Sequence, residues 1–321
     1  MSKTAWRLAL WFGLALAGVL PAQAQPDLSR KVGTTLADTG SAWYRFEEFR
    51  LASADGARRY RVRIAVPKRA APAQGYPVAY LLDGNAALME LDEPLLASLA
   101  AGGSAPAIVM IGYDSDLRID PEARAFDYTP ARRADGAPEF DEVAAERRSG
   151  GADAFLQLFE TAIKPQVEQR VRIDHDRQTL WGHSYGGLLV LHALFTRPQL
   201  FNNYVAVDPS LWWGEGFVLK EAERGMAGVE AAAPHLLVIA GSGGDAPGRR
   251  PPPGAAATAP AQLKQQQARR GNVPQDAGLR LVQRLQAARL KAEYRELPGL
   301  SHGQTLGASL APALRFAAEP R

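Results

Sequence analysis

The chain has no cysteine in its 321 residues, which removes thiol catalysis, thiolate metal centres and disulfide scaffolding together. Histidine is scarce, with five in the whole chain, so few side chains can change charge near neutral pH. The five lie far apart along the chain and make no metal-ligand spacing, so no metal centre and no cofactor is expected. Strong net charge is also missing: 37 basic residues face 34 acidic ones. Without residues 1 to 24, which carry Lys3 and Arg7 and no acid, 35 basic face 34 acidic residues, and nothing marks a nucleic-acid partner. Nor is there an apolar run of the roughly 20 residues a spanning helix needs.

The longest apolar run, Leu8 to Leu20, follows Lys3 and Arg7 and precedes Ala22-Gln23-Ala24, a small-residue cleavage pattern. This is the layout of a secretory signal peptide, so the expected mature chain starts after Ala24 and is exported to the periplasm without a membrane span. The remaining residues, 25 to 321, read as one domain.

Tyr60 to Pro67 alternates polar and apolar residues, as a half-buried strand does. Pro77 to Leu82, Ala107 to Ile111, Thr179 to Trp181, Tyr204 to Val207 and Leu236 to Ala240 are short continuous apolar runs, the pattern of strands covered on both faces. Helical periodicity lies between them at Ala152 to Arg170, Tyr185 to Phe195 and Leu279 to Leu290. This alternation predicts an α/β fold with a mostly parallel central sheet, helices on both faces and antiparallel strands at its start. Two long stretches break the rhythm. Asp114 to Gly150 carries six arginines and ten acids and reads as a solvated loop; residues 246–275 form a Pro/Ala-rich insert with Arg249, Arg250, Lys264, Arg269 and Arg270 and no acid.

Gly182-His183-Ser184-Tyr185-Gly186 matches G-x-S-x-G between a strand-like and a helix-like segment. In an α/β-hydrolase that context makes a nucleophile elbow, a sharp turn that lifts the serine hydroxyl out of the sheet edge. A serine needs a base. His183 adjoins the serine and is expected to point away from its hydroxyl, His192 lies two turns into the next helix, and His175 and His235 precede strands at the opposite sheet edge. His302, in a turn after the last strand Ala292 to Leu297, is left as the base. The acid should fall between Ser184 and His302. Asp245 is the best-placed candidate and Asp208 the second, while a Ser–His pair oriented by a backbone carbonyl stays open. Oxyanion donors are expected from the backbone N–H of Tyr185 and, in the Asp83-Gly84-Asn85 loop, of Asn85.

The strings "YLLDGNAAL", "RAFDYTP", "FLQLFETAIKPQVEQRVRID", "LWGHSYGGLLVL" and "PGLSHG" resemble the periplasmic siderophore esterases that cut ferric enterobactin and salmochelin, within the esterase-D-like branch of α/β-hydrolases. The similarity runs from about Trp43 to Phe316. It implies Ser184 as nucleophile, His302 as base, the "LLDGN" loop as oxyanion contributor and Arg124 as a substrate contact, with a catecholate siderophore trilactone as the small-molecule ester substrate. The insert after Gly244 departs from the pattern and leaves the alignment of an acid there open. The same branch holds general carboxylesterases and acyltransferases, and a non-catalytic siderophore-binding protein with a vestigial site is the rival of another class.

Overall fold

The computed structural model describes residues 29–243 and 273–320. The expected leader, Asp245 and residues 246–272 of the insert lie outside the described residues.

The strands are β1 (Tyr44–Ala52), β2 (Arg59–Pro67), β3 (Tyr76–Leu81), β4 (Ala107–Tyr113), a two-residue pair β5 (Glu139–Phe140) and β6 (Arg148–Ser149), β7 (Ile173–His183), β8 (Asn203–Val207), β9 (His235–Gly241) and β10 (Lys291–Leu297). Among the described residues one sheet runs in the order β1-β2-β4-β3-β7-β8-β9-β10. β1 and β2 enter antiparallel, and every pairing from β4 through β10 is parallel. This is the mostly parallel sheet that the continuous apolar runs predict.

Side chains alternate between two cores, as the period of two in a strand demands. From β9, Leu236 and Val238 join the core under the helices Ala152–Leu158, Tyr185–Thr196, Phe217–Ala232 and Ala277–Ala287. Leu237 and Ile239 join the core under Glu93–Ala101 and Leu310–Ala318. Helices thus cover both faces, which is why β3, β4 and β8 are buried at every position.

The stretch read as a solvated loop is ordered. Asp120 caps the helix Pro121–Asp127 by accepting from the Ala123 amide at 3.0 Å, and Pro121 starts it. Four of its six arginines are matched to acids: Arg118 to Glu90, Arg124 to Asp83, Arg132 to Glu139 and Glu142, and Arg133 to Asp135. The segment folds onto the elbow helix, whose Tyr185 hydroxyl donates to Asp141 at 2.7 Å.

Candidate active site

Ser184 ends β7 and begins the helix Tyr185–Thr196 with φ 60° and ψ −115°, a strained setting for a residue with a side chain. The neighbouring glycine makes the turn possible. A Cβ on Gly182 would lie 2.4 Å from the carbonyl carbon of Gly186, so the strand and the helix can come this close only with glycine there. The loop after β8 clasps the turn: the Ser184 amide donates to the Val207 carbonyl at 2.9 Å, and the Ser210 amide donates to the Ser184 carbonyl at 3.1 Å. The Ser210 hydroxyl stands 3.3 Å from Ser184 Oγ.

His302 Nε2 is 3.1 Å from Ser184 Oγ, within hydrogen-bond reach across 118 residues of chain. The imidazole sits at the first position of the helix His302–Ala308, started by Ser301, whose amide donates to the Gln304 side chain at 2.9 Å. S-x-x-Q is a capping-box pattern, and it fixes where His302 enters the helix. The next helix is tied back to the elbow strand by buried Trp181, whose indole N–H donates to Ser309 Oγ at 3.2 Å.

Asp208 follows β8 with φ 38° and places Oδ2 3.9 Å from His302 Nδ1. At that separation the carboxylate acts on the imidazole through charge rather than through a hydrogen bond. Its oxygens are held elsewhere: Oδ1 accepts from the Gly241 amide at 3.0 Å, and Oδ2 accepts from the Thr305 hydroxyl.

The His183 ring, expected to point away from the Ser184 hydroxyl, is engaged with His302. Nε2 lies 2.8 Å from the His302 carbonyl, which can only accept, so this nitrogen carries the proton. The two rings pack at 4.6 Å between centroids. Burial, reinforced by the adjacent His302, drives the His183 pKa well below its ordinary value, so His183 is a neutral donor that fixes the backbone of His302. Three-dimensional closure creates this contact, and no sequence spacing signals it. His183, Asp208 and His302 do bring ligand atoms within 4.8 Å of one another. In that cluster the Nε2 of His302 faces the Ser184 hydroxyl and the Nε2 of His183 faces the His302 carbonyl.

Asp83, with φ 48°, turns the chain from β3 into the helix Gly84–Met89. A Cβ on Gly84 would sit 2.5 Å from the Ile111 amide nitrogen, so this turn presses directly against β4. The buried Asn85 side chain donates to the carbonyls of Ser115 at 3.1 Å and Leu117 at 2.9 Å and anchors the turn to the loop after β4. Arg124 faces it from the helix Pro121–Asp127: Nε and Nη2 each donate to Asp83 at 2.9 Å. Burial alone would lower the Arg124 pKa; the Asp83 carboxylate overrides it and holds the guanidinium charged.

Of the residues expected at the site, Ser184, Tyr185 and His302 meet at the carboxyl edge of the sheet. Asn85 and Arg124 stand on the neighbouring loop and helix, and Asp208 is the acid seen beside the histidine among the described residues. Asp245 lies outside the described residues. The pattern found for a family described as "Putative esterase" matches residues 53–273. The chain belongs to that esterase family. It is 42% identical over 219 residues to the apo-salmochelin esterase of Escherichia coli O6:H1, covering 68% of this chain and 67% of that protein. It is 30% identical over 270 residues to the ferri-bacillibactin esterase BesA of Bacillus subtilis, covering 82% and 86%. The solved structure of the enterobactin hydrolase IroE in complex with DFP matches 89% of this chain and 99% of that one, with TM-score 0.66 and 34% identity. This protein is therefore an ester hydrolase with the α/β-hydrolase fold.

Proposed function

We propose that this esterase hydrolyses the ester bonds of a catecholate siderophore trilactone in the periplasm, with Ser184 as nucleophile and His302 as base. The observation that carries the mechanism is the 3.1 Å contact between His302 Nε2 and Ser184 Oγ at a positive-φ elbow. The reagent DFP in the IroE structure, an organophosphorus compound that attacks activated serines, supports the same chemistry. Siderophore esters are what both curated relatives are named for.

In this reading His302 Nε2 takes the Ser184 proton as Oγ attacks the ester carbonyl. The backbone N–H groups of Tyr185 and Asn85 receive the developing oxyanion, each such donor being worth roughly 10²–10³ in kcat. Collapse expels the alcohol, which takes its proton from His302, and water then attacks the acyl-serine with His302 again as base. Asp208 is favoured as the acid that stabilises the imidazolium, because its carboxylate is 3.9 Å from Nδ1; Asp245 is the alternative. Cleavage after Ala24 would deliver the enzyme to the periplasm.

Product analysis on ferric and iron-free catecholate trilactones tests the substrate. Linear trimers or shorter products are expected with wild type and none with Ser184→Ala. Intact trilactone beside continued hydrolysis of a p-nitrophenyl ester would make this a general carboxylesterase, and an acylated alcohol product would make it a transferase. Retention of trilactone with no hydrolysis of any ester would leave a binding protein.

A further inference from the structure

The family resemblance suggests Arg124 as a substrate contact, yet its guanidinium is already committed inside the protein. Nε and Nη2 form a bidentate pair with Asp83, both at 2.9 Å, and Nη2 also stands 3.4 Å from the His183 carbonyl. The same group lies 5.3 Å from the Tyr185 ring centroid and 5.5 Å from that of Tyr128. The Tyr128 hydroxyl in turn accepts from the Asp83 amide at 3.0 Å. Side-chain exposure is 13% for Arg124 and 2% for Asp83.

One planar cation therefore touches both walls of the site. Asp83 is the left-handed residue that aims the turn carrying the Asn85 amide, and His183 and Tyr185 flank the nucleophile on the elbow. These two loops come from strands β3 and β7, and their amides can share one oxyanion only if the loops keep a fixed separation. Preorganised donors are effective because they need not move as charge develops. A bidentate arginine fork fixes distance and orientation together, which a lysine cannot do.

We propose that Arg124, clamped on Asp83, is a positioning residue that sets the spacing of the two oxyanion amides. The proposal rests on the assignment of those amides to Tyr185 and Asn85.

The test compares Arg124→Gln, Asp83→Asn, the double variant and Arg124→Lys on two substrates, a neutral p-nitrophenyl ester and a ferric catecholate trilactone. Phenylboronic acid, which becomes tetrahedral and anionic on the serine, and planar benzoate are measured as inhibitors. The expected result is a kcat loss of about 10–100-fold on both substrates with KM within about twofold, scaled from the value of a single oxyanion donor. Phenylboronic acid should weaken by the same factor and benzoate should not change. The double variant should lose little more than either single one, because the pair acts as a unit, and Arg124→Lys should recover part of the loss. Should Arg124→Gln fail to fold around an unpaired Asp83, the double variant removes both buried charges and gives the same reading. A raised KM confined to the ferric trilactone, with kcat and phenylboronic acid affinity unchanged, would overturn the proposal and make Arg124 a substrate contact. Phenylboronic acid binding wild type no tighter than benzoate would instead remove the oxyanion assignment itself, and the proposal with it.

Discussion

His192 and His302 both stand beside carboxylates, and they are built in opposite ways. His192 lies eight residues after Ser184 on the elbow helix, with its side chain 3% exposed, and its Nδ1 is 2.9 and 3.0 Å from the two oxygens of Glu221. Its Nε2 is 3.5 Å from Asp153. Burial alone would lower its pKa, but the hydrogen bonds and charges of Asp153 and Glu221 override that and raise it to about 9. His302 is 46% exposed, its Nδ1 stands 3.9 Å from the Asp208 carboxylate and its Nε2 stands 3.1 Å from the Ser184 hydroxyl. A base must gain and lose a proton in every cycle, so it cannot be held as tightly as His192 is. His192 is a fixed cation joining the helices Tyr185–Thr196 and Phe217–Ala232. The difference teaches that proximity to an acid does not mark a catalytic histidine; contact with the hydroxyl of an elbow serine does.

Substitutions should separate the two sites by what they change. Ser184→Ala should lower kcat by at least about 10⁴-fold, and His302→Ala nearly as much, with the double variant little worse, since nucleophile and base act as one unit. Steady-state kinetics on any cleaved ester checks this, and substantial residual turnover in Ser184→Ala would break the catalytic half of the comparison. Asp208→Asn should cost about 10–10³-fold in kcat, less than either of those, because its carboxylate supports the imidazolium without a direct hydrogen bond. Asp245→Asn measured beside it should stay within about threefold of wild type, and the reverse ranking would transfer the acid to the loop after β9.

The smallest effects on turnover belong to His192, where stability is the readout. Its folded pKa lies above the ordinary value of 6.5, so its contribution is fully present below about pH 6.5 and is lost as pH rises through about 9. Wild type should therefore lose roughly 1–3 kcal/mol between pH 6.5 and 9.5 relative to His192→Gln, whose stability should vary less over that window. Denaturant melts at several pH values measure it. Parallel curves for the two proteins would mean that His192 does not carry its charge through neutral pH.

Much of this was legible in the chain. Parallel strands buried on both faces write themselves as apolar runs, and β3, β4, β8 and β9 lie where those runs are. β1 was not read, because Tyr-Arg-Phe-Glu-Glu-Phe-Arg-Leu-Ala is an edge strand that buries only Tyr44 and Phe49. The elbow pattern and elimination among five histidines lead to Ser184 and His302, whose side chains stand 3.1 Å apart. The order in Asp114 to Gly150 was not legible, since its many charges look solvated until Arg124 meets Asp83 across the fold and Arg132 pairs with Glu139 seven residues on. Chain order offered Asp245 first and Asp208 second, each in a loop after a strand; the nearness of Asp208 to His302 comes from the register of β8 beside β9 and from a left-handed turn, which the order alone does not rank.

The most direct test of the central claim is peptide mass spectrometry after reaction with DFP, in wild type and in Ser184→Ala. The account predicts one phosphorylated peptide, spanning Ser184, in wild type, with label appearing in step with loss of esterase activity and absent from the variant. Label on another residue, or labelling and inactivation that persist in Ser184→Ala, would contradict it.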